Sequence, residues 1–148
     1  MEILQLWREL VMVMATKSAV REQLAFRIID NLFNVGDPSV IDETCSENIS
    51  IHVPGIRDEL RGIQALKDYY KDFLKSFTLI HLHVRDMHSE DDLVDAHTTM
   101  TATYIRPFLG TQPTQKEVTV EPVFFLKFGP DEKVIEYTQD LDIVELTR

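Results

Sequence analysis

DLVDAHTTMTATYIRPFLGTQPTQKEVTVEPVFFLKFGPDEKVIEYTQDLD, residues 92–142, decides the fold, because it reads as strands joined by turns. From Val94 to Tyr104 the chain is rich in β-branched and aromatic residues, and so is Val118 to Phe128. Half-buried strands favour such residues. LGTQPT, residues 109–114, interrupts the run, with Gly110 and Pro113 suited to a loop that reverses direction. FGPDEK, residues 128–133, is a second turn, with Pro130 where a fixed φ helps and no ladder N–H is needed. The result is a long antiparallel meander whose last strand, Val134 to Asp142, closes it.

Working back toward the start, Thr78 to Met87 alternates Ile80, Leu82 and Val84 against His81, His83 and Arg85. Residues 89–92, SEDD, turn it into the meander. Ile63, Leu66, Tyr70, Phe73 and Phe77 form one side of a helix, while Lys67, Asp68, Lys71, Asp72 and Lys75 form its solvated side. Ile49 to Val53 is a short strand ended by Pro54-Gly55, with Ser50 and His52 on the face opposite Ile49, Ile51 and Val53. Asp37-Pro38 opens a short helix in the order of cap and first-turn proline. Before it, Leu24, Ile28, Ile29, Leu32 and Phe33 mark a helix starting near Ser18 and stopped by Asn34 and Gly36. Residues 1–16 carry Leu4, Trp7, Val11 and Met14 on one helical stripe, which either packs on the domain or serves as a dimer arm. We therefore divide the chain into an N-terminal amphipathic extension, 1–17, and a single domain, 18–148.

The 148 residues carry 15 Lys and Arg against 25 Asp and Glu, a formal charge of −10 that repels nucleic acid and anionic membranes. Neither is expected as a partner. Cys45 is alone, which excludes an internal disulfide, fits a reducing compartment and reads as a small buried thiol. The apolar run LVMVMA is too short to span a bilayer and no basic segment precedes it, so a cytoplasmic protein is expected.

Helices in front and a meander behind make an α+β fold, in which a strongly curved, mixed or antiparallel sheet wraps the N-terminal helices into a cone with an apolar pocket. FNVGDPSVIDE, HVPG, RGIQALKDY, FLGTQPT and VIEYTQDLD, in that order over residues 18–142, resemble the SnoaL-like polyketide cyclases of the nuclear transport factor two-like superfamily. That resemblance implies a deep apolar pocket in a homodimer or higher oligomer, and relatives that include cyclases, isomerases, epoxide hydrolases and non-catalytic scaffolds.

Strand parity, with His97 set at a pocket position by the resemblance, turns His97, Thr99, Thr101 and Thr103 inward on one strand. It adds Phe124 and Leu126 on the next, and Tyr137 and Gln139 on the last. His52 matches a polar pocket position of the family. The expected chemistry is a cofactor-free cyclisation or isomerisation of a hydrophobic carbonyl compound through an enolate, lyase-like chemistry of secondary metabolism. His97 and His52 would carry the proton and Tyr137 would donate to the enolate oxygen. Gln139, Thr99, Tyr70, Phe73, Phe124 and Leu126 would bind substrate, with Tyr69 within reach of it. Gln139 stands where cyclase relatives commonly have a carboxylate, which keeps open a non-catalytic carrier or dimerising scaffold; an epoxide or ester hydrolase is a third reading. His81 and His83 lack a third ligand for a metal, so no metal site is expected, and that strand is read as exposed or dimer-facing. Apolar Val123 and Phe125 on the outer sheet face point to cover by a second subunit.

Overall fold

The computed structural model describes residues 2–147. Its first element, α1 (Ile3–Asp30), is one unbroken helix of 28 residues rather than the two expected. The reason is local: Thr16-Lys17-Ser18 contains no Gly or Pro, and Thr16 donates its hydroxyl to the Met12 carbonyl (2.8 Å), a bond made inside a continuing helix. A π-type turn, Asn31–Val35, follows and ends at Gly36, whose φ of 81° supplies the left-handed cap.

Three short elements come next. These are α2 (Ser39–Thr44), β1 (Cys45–His52) and the two-residue β2 (Leu60–Arg61). Then come α3 (Ile63–Ser76), β3 (Phe77–Glu90), β4 (Leu93–Tyr104), β5 (Glu117–Val120), β6 (Val123–Phe128) and β7 (Val134–Asp140). A 3₁₀ turn, Ile143–Thr147, ends the described chain. The sheet order is β2-β1-β7-β6-β4-β3, with β5 also on β4. All pairs are antiparallel except β1 with β7, so the first strand returns beside the last. Pro122 splits what reads as one strand into β5 and β6, and its carbonyl accepts both the N–H (3.1 Å) and the hydroxyl (2.8 Å) of buried Thr98. The sheet is curved and unclosed, with α1 against β3 and β4.

Edge strand β3 is blunted by two bulges, one at Leu79, whose φ is 53°. Beyond that bulge the Asn34 side chain pairs with the Leu82 peptide like a strand neighbour, Nδ2 donating to its carbonyl and Oδ1 accepting its N–H, both at 2.8 Å. The end of the helical layer is thereby fixed to the sheet.

Arg21 fixes the other side. Its Nε and Nη2 donate to the two Glu132 oxygens and its Nη1 to the Asp91 carbonyl, all at 2.8 Å. Its guanidinium lies 5.9 Å from the Phe128 ring centre. Arg21 thus clamps the β3–β4 and β6–β7 turns, and both Asp91 and Glu132 hold positive φ. Because the Arg21 side chain is 13% exposed but that of Glu132 is 44% exposed, we expect Arg21→Ala to cost about 2 kcal/mol, near the lower part of the range for charge-assisted bonds. The Arg21 hydrogen bond, followed by its charge, holds the Glu132 carboxyl below its ordinary value. A carboxyl lowered on folding stabilises above its unfolded pKa and loses that contribution as pH falls through the folded value. Urea denaturation should therefore show the full difference between wild type and Arg21→Ala at pH 7, and a smaller one below about pH 4.

Candidate functional site

The cone is filled from α3 and the inner sheet face. Leu66, Tyr69, Tyr70 and Phe73 recur at helical spacing and are all buried. Phe73 sits at the centre: its ring centre is 5.5 Å from Phe33, 6.3 Å from Tyr69, 4.6 Å from Phe77 and 5.4 Å from Phe108. Phe124 joins through Phe33 and Tyr137.

Most polar atoms in this apolar wall have partners. The Tyr70 hydroxyl donates to the Leu32 carbonyl, and the Tyr104 hydroxyl donates to the Thr111 carbonyl (2.8 Å) while accepting the Phe108 N–H (3.0 Å). The Tyr137 hydroxyl donates to Gln139 Oε1 at 2.9 Å. Among the described residues of this wall, two buried groups lack a hydrogen-bond partner: the Tyr69 hydroxyl and the Gln139 Nε2. An unmet buried donor costs about 1–3 kcal/mol. Burial pushes the Tyr69 hydroxyl far up, and burial followed by the nearby Tyr69, Cys45 and Tyr70 does the same for Tyr137. Both phenols therefore remain donors at neutral pH. Burial also pushes the Cys45 thiol up to about 11, which keeps it protonated and a poor nucleophile.

Tyr69 also borders the outside. A cavity of about 440 Å³ is lined by Tyr69, Ile56, Phe108 and Leu109 as its apolar part and by Asp72, Lys75, Ser76 and Arg106 as its rim. Asp72 lies three residues after Tyr69, hence on the same helix face, with Lys75 Nζ 3.7 Å from its carboxylate. The 105–116 loop that carries Phe108 turns through Leu109 and Gly110, both at positive φ. A second cavity, about 450 Å³, holds His52 with Arg57, Asp58, Glu59 and Thr138. There the Glu59 carboxyl is held low, first by the Ser50 hydroxyl at 2.8 Å and then by Arg61.

The structure brings together Tyr137, Gln139, Tyr70, Phe73, Phe124 and Leu126, all buried inside the cone. His97, Thr99 and His52 are not with them. On β4 the buried set is Val94, Ala96, Thr98, Met100, Ala102 and Tyr104, and the register sets Ala96 opposite Phe124 but His97 opposite Val123. The inward assignment of His97 and Thr99 is thus off by one residue: Tyr104 and Met100 bury more apolar surface than the threonines they replace, and a one-residue slip reverses a strand's faces. His97 lies outside with its Nε2 3.0 Å from Asp95 Oδ2. His52 pairs with Thr138 beside the inward Ile51–Tyr137 pair and so also faces outward. His81, His83 and His88 oppose Thr101, Thr99 and Asp95, which puts all five histidines on the outer face. Among the described residues no group of three or more His, Cys, Asp or Glu side chains is placed to hold a metal. Asp72, Lys75 and Arg106 were not legible as site residues, since Asp72 and Lys75 fall on the polar side of a helix; the spacing from Tyr69 to Asp72 was the available signal.

The model of the SnoaL-like polyketide cyclase family matches residues 23–148. A search of curated proteins finds no match. AclR from Streptomyces galilaeus, assigned as a hydroxylase, is 28% identical with a TM-score of 0.72, covering 87% of this chain and 83% of its own. A chain from Jannaschia sp. CCS1 assigned as a SnoaL-like polyketide cyclase is 20% identical with a TM-score of 0.78, covering 88% and 90%. IdmH from Streptomyces antibioticus, assigned as a polyketide cyclase, is 18% identical with a TM-score of 0.71, covering 86% and 95%; at these last two identities the likeness is one of fold. With the family model spanning all but the N-terminal arm, this chain belongs to the SnoaL-like polyketide cyclase family.

Proposed function

We propose that the chain binds a hydrophobic carbonyl compound through the Tyr69 mouth and acts on it as a cyclase or isomerase by way of an enolate. The observation that carries this reading is the pair of buried, unpartnered donors, the Tyr69 hydroxyl and Gln139 Nε2, in a wall otherwise apolar. A carbonyl oxygen is the acceptor that such donors lack. Negative charge developing on it would strengthen both bonds, which is the differential stabilisation that lowers a barrier. Entry would be through the cavity that Tyr69 and Phe108 line. Asp72 is the carboxylate at that mouth: it would take the proton from the carbon next to the carbonyl, sending the C–H electron pair to the enolate oxygen, and return the proton to the product.

A second reading, a carrier that binds without reacting, is favoured by the lack of His, Asp, Glu or Lys among the described buried residues of the cone. Proton exchange separates the two. With a rigid polycyclic ketone in D₂O, loss of the α-hydrogen NMR signal should run faster with protein than in buffer, and Asp72→Asn should slow it by about 10²-fold. A ketone that binds yet exchanges at the buffer rate would support the carrier.

A further inference from the structure

We propose that the first four turns of α1 form an antiparallel helix pair with the same segment of a second copy of this chain. The arm has an apolar face with nothing beneath it. Leu4, Trp7, Val11 and Met14 run at three- and four-residue spacing straight into Arg21, Ala25 and Ile28, the side of α1 that packs on the domain, yet they are 57–68% exposed. Ile3, Leu6, Leu10 and Val13 form an adjoining stripe, 50–74% exposed. Together they cover about half of the helix circumference, as wide as a face built to be buried.

The occupant follows from area, charge and symmetry. At roughly 60–120 Å² per large apolar side chain, the eight offer on the order of 500–1,000 Å² per copy, and a stable interface takes about 800 Å² from each partner. An antiparallel pair crossing at Leu10 sets Lys17 of each helix beside Glu2 of the other, closing two opposite-charge contacts around a core of Leu6, Trp7, Leu10 and Val13. Such a twofold contact uses the same patch on both copies. A membrane surface fits less well. The arm carries Arg8 and Lys17 against Glu2 and Glu9, without the basic polar face of an interfacial helix, on a chain of charge −10. No described helix is long and apolar enough to cross a bilayer.

The test uses the full chain in sedimentation velocity at micromolar concentration. Wild type should be dimeric, and Leu10→Glu, which puts two carboxylates at the twofold axis, should weaken association roughly 100-fold or more with the far-UV spectrum unchanged. Glu2→Lys should weaken it less, and adding Lys17→Glu should restore it. Leu10→Cys should form an intermolecular disulfide under mild oxidation. A monomeric wild type would overturn the proposal. So would a dimer indifferent to Leu10→Glu, which would place the interface elsewhere, or a monomer that binds anionic phospholipid vesicles through residues 3–14.

Discussion

Phe73→Ala is expected to lower stability by about 3–5 kcal/mol, the cost of emptying the space of a fully buried aromatic side chain. Phe73 is 0% exposed, and its ring is packed by Phe33 from the end of the helical layer, Tyr69 from its own helix, Phe77 from β3 and Phe108 from the mouth loop. No single neighbour can collapse into the gap without abandoning another, which places the cost at the upper end. Against a total stability of roughly 5–15 kcal/mol, the variant should unfold at a much lower urea concentration with its slope unchanged. A loss under about 1 kcal/mol would mean that the aromatic centre is loosely packed.

Tyr69→Phe should have the opposite signature, with stability gained and activity lost. Removing a buried hydroxyl that has no partner should raise stability by about 1 kcal/mol, because the desolvation it imposes disappears and the ring still fills its place. The same change removes a donor from the developing oxyanion and should reduce turnover of a ketone substrate by about 10²- to 10³-fold. Ground that is strained for function behaves in this way. Urea denaturation and the α-proton exchange rate, measured on one preparation, check both halves. A Tyr69→Phe protein less stable than wild type would show that the hydroxyl does have a partner in the folded chain.

Which parts of this were legible depended on how unequal the two faces of each strand are. Along β7 and the residue after it, the inward Tyr137, Gln139 and Leu141 alternate with Glu136, Thr138 and Asp140, and the contrast fixes the parity. On β4, by contrast, Thr98 could serve either face and Ala96 and Ala102 are too small to advertise burial, so His97 read as inward until its pairing with Val123 turned it out. Ser18 read as a cap because serine suits one, yet nothing around it interrupts helical backbone. The parallel pairing of β1 with β7 joins chain ends some ninety residues apart, and no local pattern announces it. The site suffered most from this. Tyr69 and Asp72 share a helix face in sequence, but only the packed cone reveals that the Tyr69 and Gln139 donors are both left without acceptors.

If the Tyr69 and Gln139 donors receive a substrate's carbonyl oxygen, the ¹³C shift of a carbonyl-labelled polycyclic ketone measures it directly. Bound to wild type, the carbonyl resonance should move downfield of its position in an aprotic solvent, as it does when its oxygen accepts hydrogen bonds, and most of that displacement should vanish in Tyr69→Phe and in Gln139→Leu. A ketone bound in the cone with the same shift in all three proteins would show that neither donor meets its carbonyl oxygen.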